Sequence, residues 1–183
     1  MILNEYEKSK VVQQLIENKD IRTDYLITLN TCSKMSNSSL NQKLSLMSAV
    51  VNKKFIKGRW WKKINERIWF YCFNEISKDG HTHSNCILRV PSIYKIEEVI
   101  EEVKSAWIYI GKYKHFISKF NNETGDFIRQ QRPLNFEIDI RKYEYNTKEV
   151  MIKYQIKSYF DDTGLGIGNK YFGQGNDQKF NIF

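Results

Sequence analysis

The sequence predicts an α+β domain: an antiparallel sheet of about five strands with three or four helices. Two observations carry that prediction. Short runs of β-forming residues alternate with segments whose apolar side chains recur at helical spacing, and a Lys78-Asp79-Gly80 turn separates two adjacent strand-like runs. At 183 residues, with 41% apolar and 14% aromatic content, the chain can fill the core of one compact domain.

The elements follow in order. Residues 5–18 read as a short helix with Val11, Val12 and Leu15 inward, and Tyr25–Asn30 as a compact strand. Ser38 or Ser39 is expected to cap a long helix whose stripe is Leu40, Leu44, Met47, Val51 and Phe55. Gly58 should interrupt it before a basic Trp60-Trp61 segment. Strands at about 67–77 and 81–90 form a hairpin. A helix from about 94 to 110 turns Ile96, Val99, Ile100, Val103 and Trp107 inward and Glu97, Glu98, Glu101 and Glu102 to solvent. Tyr113–Phe120 and Phe136–Tyr143 are two more strands joined by a polar loop, and a last helix covers about 147–160. Asp161–Phe183, with five glycines in a polar context, reads as an irregular tail.

The formal net charge of +8 favours a polyanionic partner. Most of that excess lies in residues 53–67, where seven basic residues (Lys53, Lys54, Lys57, Arg59, Lys62, Lys63 and Arg67) meet Glu66 alone. Cys32, Cys72 and Cys86 are odd in number and far apart, which argues against a disulfide framework or a Cys-x-x-Cys metal site. The charged first twenty residues do not read as a signal peptide, and no run approaches the ~18 apolar residues of a membrane span. A reducing, cytoplasmic or host-cell interior is the expected location. No phosphate-binding loop of the Gly-x-x-x-x-Gly-Lys-Ser/Thr type occurs in the sequence.

The chemistry concentrates in the hairpin. His81 and His83 are one residue apart on a strand, so they share a face. With a three-residue Lys78-Asp79-Gly80 loop, Ser77 pairs with His81 and Glu75 with His83, and the three side chains converge as an open divalent-metal site. A two-residue Asp79-Gly80 turn would instead send Glu75 to the other face. The metal reading therefore requires the longer loop. His115 is read as a half-buried strand residue, outside the site. On the last helix, Ile152, Ile156 and Phe160 form one stripe, while Tyr154 and Lys157 project from the other side. A phenol is a weak nucleophile until a cation or a polarised phosphate assists it.

This arrangement resembles the HUH endonucleases, the replication initiators and relaxases of rolling-circle plasmids, phages and small DNA viruses. Tyr25–Asn30 looks like the family's first motif strand. Glu75, His81 and His83 match its histidine-hydrophobe-histidine motif with an acidic ligand, and Tyr154 and Lys157 its Tyr-x-x-Lys helix. The resemblance covers about residues 24–160. Thr82 stands where the family has a large hydrophobe, and Ser84-Asn85 where apolar residues are usual, so different packing behind the site is expected. Tyr159 lies toward the Ile152–Ile156 side, which favours a single-tyrosine enzyme. Lys157, in place of an amide, favours a replication initiator.

The resemblance implies helices packed mainly on one face of the sheet and a nicking and joining domain over 1–160, followed by the tail at 161–183. It implies Mn²⁺ or Mg²⁺ held by Glu75, His81 and His83, Tyr154 as nucleophile, and Lys157 positioning the phosphate. Thr28, Asn30, Arg59, Trp60, Lys62, Lys63 and Lys153 are the expected DNA contacts, with Trp60 or Trp61 stacking on bases; tryptophans in the core flanked by solvated lysines are the equal alternative. The partner would be single-stranded DNA at a replication origin, bare or in a hairpin, with a host helicase opening the duplex. Two alternatives stand beside this reading: a single-strand transposase or mobilisation relaxase, and a non-enzymatic nucleic-acid-binding module.

Overall fold

A computed structural model of the chain describes residues 5–77, 80–112, 115–120, 127–132, 136–142, 147–155 and 170–172. In order these form α1 (Glu5–Glu17), β1 (Ile21–Asn30), α2 (Asn37–Phe55), two 3₁₀ turns (Trp60–Lys62 and Ile64–Glu66), β2 (Trp69–Ile76) and β3 (Thr82–Arg89). Then come α3 (Ile96–Lys112), β4 (His115–Phe120), β5 (Phe127–Arg132), β6 (Glu137–Lys142), α4 (Lys148–Gln155) and β7 (Lys170–Phe172). The protein is α+β, with one five-stranded sheet ordered β6-β1-β3-β2-β7 and a separate β4-β5 hairpin. All the strand pairs are antiparallel. Taken without the β4-β5 insertion, β1-α2-β2-β3-α3-β6 is a split β-α-β-β-α-β unit with β1 and β3 as its central strands.

Alternation along β2 divides the core in two. Phe70 and Cys72 face α2 and α3, in the larger cluster with Leu40, Leu44, Met47, Val51, Val99 and Trp107. Tyr71 and Phe73 point the opposite way and join Val12, Leu15, Ile87 and Ile152, so α1 and α4 pack on the other face. The two longest helices thus share one side. The second face, expected to be open, is partly roofed.

Several local predictions need correcting. The cap of α2 is Ser36, whose hydroxyl accepts the Ser39 N–H at 3.2 Å; Ser38 and Ser39 belong to the first turn. The polar loop expected between two strands contains β5, which pairs with β4 along its length. The tail, read as irregular, contributes β7, paired to the outer side of β2 through Phe70↔Phe172. The last helix is described as far as Gln155, so the stripe positions Ile156 and Phe160, together with Lys157 and Tyr159, lie outside the described residues.

Long-range ties fix how these pieces meet. Trp107 in α3 donates its indole N–H to the carbonyls of Asn30 (3.2 Å) and Glu137 (3.0 Å), joining the end of β1 to the start of β6. Its ring stacks on Phe136 with centroids 4.6 Å apart. A methyl group on the neighbouring Gly111 would come within 2.8 Å of the Phe136 nitrogen, so that helix position has no room for a side chain. Cys72 and Cys86 face each other across the hairpin as buried free thiols with sulfurs 3.1 Å apart. Among the described residues no helix is long and apolar enough to cross a membrane.

Candidate functional site

The hairpin backbone takes the longer of the two possible loops. The Ser77 N–H donates to the His81 carbonyl at 2.8 Å, and Gly80, at φ +78°, donates to the Ser77 carbonyl at 2.9 Å. A left-handed residue at that position suits glycine, which has no Cβ to clash. Glu75 is consequently paired with His83. Their side chains meet: Glu75 Oε2 lies 3.1 Å from His83 Nε2, with the two side chains only 10% and 17% exposed.

The other carboxylate oxygen is also held. Asn85 donates its amide N–H to Glu75 Oε1 at 3.1 Å, and Thr28 Oγ1 donates to Asn85 Oδ1 at 3.0 Å. Register explains the line-up, since Thr28 pairs with Asn85 and Asn30 with His83 across β1 and β3. The strands place Thr28, Asn30, His83, Asn85 and Glu75 on one face. Sequence reasoning named Thr28 and Asn30 as DNA contacts and passed over Asn85. Strand periodicity was the signal for it, because Asn85 follows His83 at the spacing that puts His83 after His81.

His81 is not part of this assembly. It is exposed, one step beyond β3, and no group of three His, Cys, Asp or Glu side chains comes together among the described residues. Between the histidines, Thr82 is fully buried and replaces the expected hydrophobe with hydrogen bonds. Its hydroxyl accepts the Met35 N–H at 2.9 Å and donates to the Met35 carbonyl at 3.0 Å, clamping β3 to the loop after β1.

The helix α4 packs on β1, β3 and α1. Ile152 is fully buried and Tyr154 is 52% exposed, as expected from their positions around the helix. Because Ile152 lies in the cluster with Tyr71, Phe73 and Ile87, α4 shares its sheet face with Glu75 and His83. Tyr71 is also on this face, but burial pushes its phenol up to about 12, against a smaller opposing pull from Arg89. It stays protonated at neutral pH and is a poor nucleophile. Lys153 is engaged by Glu149 at 2.7 Å.

The basic segment is only partly available to a ligand. Arg59 and Lys62 are exposed, and Lys63 pairs with Glu66 at 3.1 Å. Trp60, predicted to contact DNA, is 7% exposed and sits in the protein; the exposed indole is Trp61, at 48%. Arg67 is buried as well. It donates Nε–H to the Trp60 carbonyl at 3.1 Å and holds its guanidinium 5.6 Å from the Trp60 ring centre. Two residues of the basic segment therefore pack against each other.

A carboxylate and an imidazole in contact, shielded and anchored from one side by an amide, make a suitable pair of donors for a divalent cation. The fit is for two ligands; His81, one residue before β3, is not brought to them. Compared with family models, with curated proteins and with solved structures, the chain matches none.

Proposed function

We propose that the protein nicks and rejoins single-stranded DNA, as a single-tyrosine initiator of rolling-circle replication. One observation carries the reading: Glu75 and His83 meet at 3.1 Å on the sheet face that α4 packs against, and α4 exposes Tyr154 on its outer side. A divalent cation held by Glu75, His83 and His81 would supply Lewis-acid polarisation of the scissile phosphate. Tyr154 Oη attacks phosphorus, the bond to the 3′ oxygen breaks, and the DNA 5′ end is left esterified to the tyrosine. The phenol loses its proton and the leaving 3′ oxygen gains one, so the step is balanced without a net oxidation. One phosphodiester replaces another, and an incoming 3′-OH can reverse the exchange. Lys157 is proposed to steady the phosphate charge. Arg59, Lys62, Lys63 and Lys153 would hold the DNA backbone, with Thr28 and Asn30 nearer the site.

The test is incubation with single-stranded DNA and Mn²⁺, followed by a denaturing gel. A covalent adduct should form with the wild type and disappear in Tyr154→Phe, which lacks one oxygen at an exposed position and should melt normally. His83→Ala should lose the metal-dependent reaction with its fold intact. An undiminished adduct in Tyr154→Phe would sink the assignment of the nucleophile. A preference for transposon ends over a hairpin origin would turn the reading toward a single-strand transposase or mobilisation relaxase. The exposed, separate His81 favours a second reading, a nucleic-acid-binding module without metal chemistry. That module would bind DNA equally with and without Mn²⁺ and give no adduct.

A further inference from the structure

We propose that Asn85, oriented by Thr28, is a positioning residue that fixes the Glu75 carboxylate against His83. The inference deepens the metal-site reading above and, as regards metal affinity, rests on it. Its physical basis is the direction of the hydrogen bonds. An ionised carboxylate only accepts, so the amide group facing Glu75 Oε1 at 3.1 Å must be the Asn85 NH₂. Asn85 Oδ1 then faces Thr28, and the hydroxyl 3.0 Å away must be the donor. Each group leaves the next a single orientation. The chain runs from β1 through β3 to β2, so the carboxylate is held by a strand other than its own.

Burial gives this line its force. Asn85 is 5% exposed and Glu75 8%, so water cannot readily replace a lost amide partner. With Oε1 held by Asn85, Oε2 remains turned toward His83 Nε2. Without that grip the carboxyl plane loses one of its holds, and the two-donor geometry loosens. Asn85 is not itself placed among the reacting groups; it acts through Glu75.

The experiment compares wild type, Thr28→Val, Thr28→Ser, Asn85→Ala and the Thr28→Val/Asn85→Ala double variant by two readouts. The first is Mn²⁺ affinity, from the electron paramagnetic resonance signal of the free ion. The second is the ring ¹⁵N signals of His83 without metal, identified by their loss in His83→Ala from a chain with three histidines. Asn85→Ala and Thr28→Val should each weaken Mn²⁺ binding by about 10–100-fold, and Thr28→Ser should restore it. The double variant should be no weaker than Asn85→Ala, since Thr28 works only through Asn85. The His83 ring signals should move in the Val and Ala variants and stay in Thr28→Ser.

His83 signals and Mn²⁺ affinity that match wild type in Thr28→Val and Asn85→Ala would overturn the proposal. If the wild type takes up no Mn²⁺, the metal reading falls and the ring signals alone decide the positioning role. If Asn85→Ala does not fold, the Thr28→Val and Thr28→Ser pair decides it.

Discussion

The buried side chain of Asn52 closes a small loop of hydrogen bonds between α2 and the start of β2. Its Oδ1 accepts the Ile68 N–H at 2.9 Å, while Nδ2 donates to the carbonyls of Ile68 and Ser48, both at 2.9 Å. Asn52→Ala would leave a buried backbone donor and acceptor with no partner. A loss of about 2–6 kcal/mol is expected in urea unfolding, from roughly 1–3 for each of the two orphaned groups. A loss under ~1 kcal/mol would mean that water reaches Ile68. Roles of this kind are hard to read from sequence, because Asn52 and Ile68 meet only after the intervening segment has folded back. The same limit hid Asn85: its distance from His83 was legible, but its bond to Thr28 spans 57 residues. Glu75 and His83 were legible because a short loop fixes their register locally.

At the scale of elements, the segment between α2 and β2 shows how composition misleads. The helix ends at Phe55, where Ile56 turns extended, ahead of the predicted break at Gly58; past Gly58, at φ +78°, two 3₁₀ turns carry the chain into β2. A 3₁₀ turn sends adjacent side chains in different directions, so Trp60 is buried beside Arg67 while Trp61 remains outside. Trp61→Ala should weaken single-stranded DNA binding by about 1–3 kcal/mol, with a smaller loss of stability from its edge contact with Trp60. Trp60→Ala should instead cost about 3–5 kcal/mol of stability. Neutralising Lys62 together with Arg59 should flatten the log–log salt dependence by about 0.7 for each phosphate that the protein no longer neutralises. Unchanged affinity in both the Trp61 and the basic-residue variants would move the DNA path to another surface. The two overlooked strands have separate causes. In β5, Phe127-Ile128 is followed by Arg-Gln-Gln-Arg, which carries no alternating apolar signal. In β7, three residues flanked by glycine and polar positions are too short for periodicity to register.

For the molecule as a whole, the sequence supported the right class because its helix stripes and the central hairpin are strong local patterns. Strand order was beyond local reasoning. β1 lies between β3 and β6, partners that follow it by some fifty and a hundred residues, and only tertiary packing selects that arrangement. The two-sided covering of the sheet was equally hidden, since α4 carries only two buried residues among those described, Met151 and Ile152.

The sheet order also implies a sequence of events in time. The β2-β3 hairpin closes over three residues, at small entropic cost, whereas β6 must find β1 across most of the chain. Glu75 and His83 should therefore meet early, before Thr28 is in place, and the docking of α3 and β6 through Gly111 and Phe136 should come late. Gly80→Ala, which forces a side chain into the left-handed region at a cost of about 1–2 kcal/mol, should act mainly by slowing folding. Gly111→Ala should leave the folding rate nearly unchanged and accelerate unfolding. Stopped-flow chevrons of the two variants would separate the cases, and the reverse assignment would mean that the nucleus forms around the distant strands. On this order, half of the candidate site forms as a local event, and its remaining support, Thr28, arrives when β1 pairs with β3.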